Sequence, residues 1–119
     1  MGSVRSYKDL NVWQRAVDFS VAMYRETEQF PGSEIYGLTN QLRRATVSIA
    51  SNIAEGHARS RKEYGRFLSI ALGSLAEVET QLEIARRIGY LPQEKYNNLI
   101  DELNIIGKQL NSLYQKIKE

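Results

Sequence analysis

Four times along this chain, apolar or small residues recur at alternating steps of three and four, and each run is broken by glycine or proline. That spacing lines one face of a 3.6-residue helix and is incompatible with the period-two alternation of a strand. The first line is Leu10, Trp13, Val17, Ser20 and Tyr24, entered near Asp9, a good N-cap type, and ended before Phe30-Pro31-Gly32. Trp13 is in register with it and is expected to anchor the core. The second line is Ile35, Leu38, Leu42, Ala45, Ile49 and Ile53, with Ser33 as cap, Glu34 in the first turn and Gly56 as left-handed terminus. Ser60-Arg61-Lys62-Glu63 has the form of a capping box, and Tyr64, Leu68, Ala71, Leu75, Val78, Leu82 and Ala85 follow it until Gly89. Pro92, tolerated at a helix start, introduces Tyr96, Leu99, Leu103, Ile106, Leu110, Leu113 and Ile117.

The predicted helices span 10–28, 33–56, 61–88 and 92–117. Short connections between long helices force neighbours antiparallel, so the expected fold is all-α: an antiparallel up-down-up-down four-helix bundle with shallow crossing angles. With 119 residues, 1–119 should form one domain whose core needs no covalent staples. Phe19, Val21, Ile70, Leu72, Ile84 and Ile105 fall off the inner lines, and Gly73 lies opposite the core line. A mid-helix glycine costs about 1 kcal/mol relative to alanine. Together these predict a second, outward apolar strip against which another subunit packs, and hence a homo-oligomer.

Without cysteine, thiolate chemistry and disulfides are excluded. No apolar run approaches the roughly 20 residues needed to cross a bilayer, and no apolar signal core is present near the start, so a soluble cytoplasmic protein with no membrane partner is expected. Gly2 and Ser6 fit the loose myristoylation pattern, although so short a start reads equally well as a cloning remnant. Catalysis has little to work with. The sole histidine, His57, sits just past Gly56, and no second histidine or cysteine is available as its partner. Neither phosphate-loop glycine pattern occurs, no Glu-x-x-His is present for a bundle metal site, and Glu83 is better placed for ion pairs with Arg86 and Arg87. No enzyme, cofactor or metal site is expected.

Charge is more informative in its distribution than in its net value of +2. Arg43, Arg44, Arg59, Arg61, Lys62 and Arg66 face only Glu55 and Glu63 between positions 42 and 66, whereas acids dominate from Phe67 to Asn104. Such a basic cluster can neutralise phosphates and release their counterions, which makes these six residues the candidate nucleic-acid contacts. With no interleaved aromatics, the claim stops at phosphates. On the second helix Gln41, Ser48, Asn52 and Glu55 share a stripe flanking the apolar line, predicting a hydrogen-bonded network that sets helix register.

Asp9-Leu10-Asn11-Val12-Trp13-Gln14-Arg15-Ala16, Tyr36-Gly37-Leu38, Gln41-Leu42-Arg43-Arg44-Ala45, Ser48-Ile49-Ala50-Ser51-Asn52-Ile53-Ala54-Glu55-Gly56 and Gly73-Ser74-Leu75-Ala76-Glu77 resemble the 23S rRNA intervening-sequence proteins, in order and at family spacing. The resemblance implies a four-helix bundle, often a homopentamer, in bacteria. Similar relatives include the accessory protein of diversity-generating retroelements, which binds nucleic acid through a basic surface and partners a reverse transcriptase. It also implies no catalytic residue. By position, Arg43 and Arg44 match the family's Arg-Arg pair, Asn52, Glu55 and Gly56 match its Asn-Ile-Ala-Glu-Gly core, and Arg59, Arg61, Lys62 and Arg66 fall in its variable basic segment. Ala50 stands where many relatives carry proline, so a straighter second helix is expected. The leading functional expectation is a non-enzymatic oligomer that binds RNA or DNA, and the alternative is a protein-interaction scaffold.

Overall fold

A computed structural model describes residues 6–118, which leaves Met1 to Arg5, and with them the glycine of the myristoylation pattern, outside the described residues. Four helices form: α1 (Asn11–Thr27), α2 (Leu38–His57), α3 (Arg61–Ile88) and α4 (Gln93–Lys118), with short 3-10 turns at Tyr7–Asp9 and Gly32–Glu34. Each helix packs on its chain neighbours, and α4 returns to close the ring against α1. Direction follows from cross-helix pairs. Gln41 and Ser48 of α2 meet Gln81 and Ser74 of α3, while Arg15 and Glu26 of α1 meet Glu102 and Lys95 of α4. As one partner's number rises the other's falls, and Arg61 at the start of α3 reaches the end of α4. Every neighbouring pair is therefore antiparallel, making an up-down-up-down bundle 45 Å long.

The core follows the expected lines on α2, α3 and α4, where Leu42, Ile49, Ile53, Leu68, Val78, Leu82, Leu103, Ile106 and Leu110 are fully or almost fully buried. On α1 the buried line is instead Val12, Ala16, Phe19, Met23 and Thr27, so the inward face is turned from the predicted one. Trp13 and Val17 flank it half-buried, and Tyr24 is exposed. Phe19, expected to face outward, is only 2% exposed. Each line has the same helical spacing, and packing against α2 and α4 decides which becomes the interior.

The helix ends show how local chemistry sets the frame. Ser6 and Asp9 form a capping box around the Tyr7–Asp9 turn, so Asp9 does not cap α1 directly. Helix α2 starts at Leu38, not Ser33, because Glu34 folds forward from its own 3-10 turn and its carboxylate accepts the Leu38 amide at 3.0 Å. Tyr90 donates its hydroxyl to the other oxygen of Glu34 at 2.9 Å, tying the α1–α2 connection to the α3–α4 connection. Ile35 and Tyr36 consequently lie exposed outside the helix. At its far end α2 continues through Gly56 to His57, and Ala50 sits within unbroken helix. Ser60 accepts the Glu63 amide at 3.3 Å, but Glu63 turns toward Arg66 and the reciprocal half of the box is not made. Gly89 alone among the described residues has a positive φ, 96°, and its amide caps the Ala85 and Arg86 carbonyls.

Candidate nucleic-acid interface

The antiparallel return of α4 puts its last turn beside the first turns of α3. Between them runs an open groove of about 770 Å³, lined by Arg61, Lys62, Gly65, Arg66, Ser69, Ile70, Tyr114, Ile117 and Lys118. Among the described residues four cations edge it and no acidic side chain lines it. Arg66 is open to a ligand, with a side chain 71% exposed and Glu63 only at 3.9 Å, and Lys62 is exposed beside it. Lys118 holds its ammonium 5.6 Å over the Tyr114 ring. Arg61 has a second duty: it donates from Nε to the Ile117 carbonyl at 3.0 Å and from a terminal nitrogen to Lys116 at 2.7 Å. Those carbonyls belong to the last turn of α4, which has no intrahelical donors left for them, so Arg61 acts as a C-cap from a neighbouring helix.

The six predicted contacts separate. Arg59 stands at the basic end but pairs with Glu55 at 3.1 Å and lies over the Phe67 ring at 5.1 Å. Arg43 and Arg44 are near the opposite end of α2, about 20 Å along the helix from His57 at 1.5 Å per residue. Arg43 donates from Nε to Thr27 Oγ1 at 2.8 Å and from a terminal nitrogen to the Tyr24 carbonyl at 3.2 Å, with its guanidinium 4.5 Å from the Tyr24 ring centre. It fastens the end of α1 to α2. Arg44 is exposed. Only Arg61, Lys62 and Arg66 are brought together in the groove. Lys118, Tyr114 and Ile117 carry no local signal as site residues, because nothing in the fourth helix alone relates them to residues 61–66; the antiparallel pairing of α3 with α4 is the signal that joins them.

The polar stripe of α2 also divides. Ser48 shares a 2.8 Å hydrogen bond with Ser74, and Asn52 donates to the Ser48 hydroxyl at 2.9 Å and its carbonyl at 2.8 Å, which joins α2 to α3. Gln41 accepts a long bond, 3.4 Å, from Gln81. Glu55 takes no part and faces Arg59 at the surface. His57 meets the edge of the Tyr64 ring, with centroids 5.6 Å apart. Burial raises the Tyr64 pKa, and its hydroxyl has no partner among the described residues.

The 23S rRNA-intervening sequence protein family matches residues 8–112. The chain belongs to this family. Among solved structures it is similar to a protein of unknown function from the S23 ribosomal protein family of Bacteroides thetaiotaomicron VPI-5482, with 26% identity and a TM-score of 0.81 over 87% of this chain and 95% of that one. No curated protein matches. The family match takes in the α3 wall of the groove and stops short of Tyr114, Ile117 and Lys118, so the α4 wall lies outside the shared region.

In this member of the 23S rRNA-intervening sequence proteins the other bundle end is built around an acid. Glu83 accepts from Arg86 at 2.5 Å, from Arg87 at 2.7 Å and from the Tyr96 hydroxyl at 2.7 Å. Those bonds, the Arg86 one foremost, lower its pKa to about 2. Glu83 and its two arginines satisfy one another there. A second surface, between α1 and α2, is lined by Tyr7, Trp13, Val17, Ser20, Val21, Tyr24, Val47, Ala50, Ser51 and Ala54, with no charged side chain among the described residues. The outward strip predicted from sequence is redistributed accordingly. Val21 joins this face, Ile70 lies in the basic groove, Ile84 lies near Glu83, and Phe19 belongs to the core. No helix among the described residues is long and apolar enough to cross a membrane.

Proposed function

We propose that this chain is a non-enzymatic, oligomeric helical bundle of the cytoplasm that binds RNA or DNA phosphates through its basic end. The observation that carries the reading is the groove in which Arg61, Lys62, Arg66 and Lys118 converge with no acidic lining residue among the described residues. Cations at this density gain by replacing the condensed counterions of a polyanion. Non-enzymatic action is favoured by the setting of His57, whose described contact is a ring edge that gives a general base nothing to orient it. Oligomerisation is favoured by the uncharged α1/α2 face, where Val21, Tyr24 and Val47 are exposed.

The test is binding of labelled RNA and DNA across a salt series, with the native chain and with Lys62, Arg66 and Lys118 all changed to Ser. Native binding should weaken steeply with salt, and the slope of log K against log salt should become shallower by roughly 0.7–0.9 for each phosphate contact removed. Absence of binding at low salt, or binding indifferent to salt, rejects the reading. The alternative, a protein-interaction scaffold, draws on the same α1/α2 face. Recovery of one partner protein after nuclease treatment, by a chain that binds no oligonucleotide, would favour it.

A further inference from the structure

Resting on phosphate recognition by the basic end, we propose that the groove takes an unpaired strand, RNA or DNA, in preference to a duplex. Packed helix axes stand about 8–10 Å apart, so the valley between α3 and α4 is wide enough to line a single strand but too narrow to enclose a duplex, which can lay only one of its backbones along it. Its volume of about 770 Å³ lies in the range of small-ligand sites, roughly 300–1,000 Å³. The valley is also not purely cationic. Ile70, 43% exposed, and Ile117 provide an apolar surface, and Tyr114 adds an aromatic ring. A duplex approached from outside offers phosphates and sugars, for which an apolar surface has no use. An unpaired strand also offers base faces, which gain from aromatic and apolar contact. Lys118 holds its ammonium over the Tyr114 ring, so a strand whose phosphate draws that lysine aside uncovers the ring for a base.

Gly65 sharpens this reading. It lies within α3, where alanine would be the better helix former, and among the described residues a Cβ there would meet only Ile117 Cγ2 at an ordinary 3.9 Å. Packing does not require the glycine. What its missing side chain does is keep the groove open between Arg66 and Ile117.

Fluorescence anisotropy with short single strands of RNA and of DNA, and with duplexes of the same sequences, tests the proposal on the native chain, Gly65→Leu and Tyr114→Leu. The native chain should bind single strands about tenfold tighter than duplex, and each variant should lose about tenfold for single strands and less for duplex, so that the preference narrows. Gly65→Leu adds its side chain toward the groove without removing a packed one, so it remains decisive if Tyr114→Leu melts early. Equal binding of single strand and duplex, unaffected by Gly65→Leu, overturns the single-strand preference and leaves phosphate recognition standing. Failure of both nucleic-acid forms to bind at low salt removes both. Loss confined to RNA or to DNA identifies the source of the strand.

Discussion

Gly56 lies so close to Phe67 that a Cβ at position 56 would stand 2.7 Å from the Phe67 Cβ, and 3.0 Å from Tyr64 Cδ1. The near atom of Phe67 is fixed to the α3 backbone, so the contact cannot be relieved by turning a flexible side chain. Helices α2 and α3 can approach this closely only because position 56 has no side chain. Gly56→Ala should gain up to about 1 kcal/mol in helix propensity and lose about 1–3 kcal/mol to overpacking. The expected net is a loss of stability, read as a lower urea midpoint with an unchanged m-value. A variant as stable as the native chain would show that α2 and α3 separate at little cost.

Arg43 and Arg44 are adjacent in sequence and differ in work. Arg43 bonds to Thr27 and to the Tyr24 carbonyl, whereas Arg44 is exposed. Arg43→Met should cost about 1–2 kcal/mol, the order expected for charge-assisted bonds that are partly open to water. Arg44→Met should stay within about 0.5 kcal/mol of native. Neither should change the salt slope of oligonucleotide binding. A slope reduced by about one in Arg43→Met would instead count that guanidinium among the phosphate contacts.

Glu83 gives the bundle an acid-sensitive joint. Bonds from Arg86, then Arg87, then Tyr96 lower its pKa from 4.5 to about 2 in the fold. The folded state therefore holds its proton less tightly than the unfolded chain, so this group's stabilisation is complete above pH 4.5 and fades as pH falls toward 2. Glu83→Gln keeps the shape and removes the titration. Urea midpoints measured from pH 6 to 2 should fall less steeply in Glu83→Gln than in the native chain across that window. Parallel curves would show that Glu83 titrates alike folded and unfolded.

What could be read from residues alone, and what could not, follows a physical division. Helix existence and type are properties of local spacing, and Gly89 marks the end of α3 because only glycine takes a φ of 96° without strain. The inward face of α1 is not local. Two lines of helical spacing run along it, and the large ring of Trp13 favours the wrong one until α2 and α4 are packed against Phe19 and Met23. The start of α2 likewise depends on Glu34, whose position is held by Tyr90, 56 residues away. The basic cluster was legible on its α3 side, where Arg61, Lys62 and Arg66 are close in sequence. Its α4 side appears only when Lys118 is returned by the antiparallel fold.

Val47 stands on the uncharged face between α1 and α2, 39% exposed, with Val21 and Tyr24 also exposed there and Trp13 half-buried. In a monomer, a surface change at such a position alters stability by no more than about 0.5 kcal/mol. In an assembly that covers this face, a carboxylate at position 47 would be buried without a partner and would oppose association. Val47→Glu should thus shift the proposed oligomer toward monomer in sedimentation or light scattering. Stability should fall only by the share linked to assembly, which vanishes on dilution of the native chain. A native chain that is monomeric at high concentration removes the oligomer from the proposal. An assembly untouched by Val47→Glu places its interface on another face of the bundle.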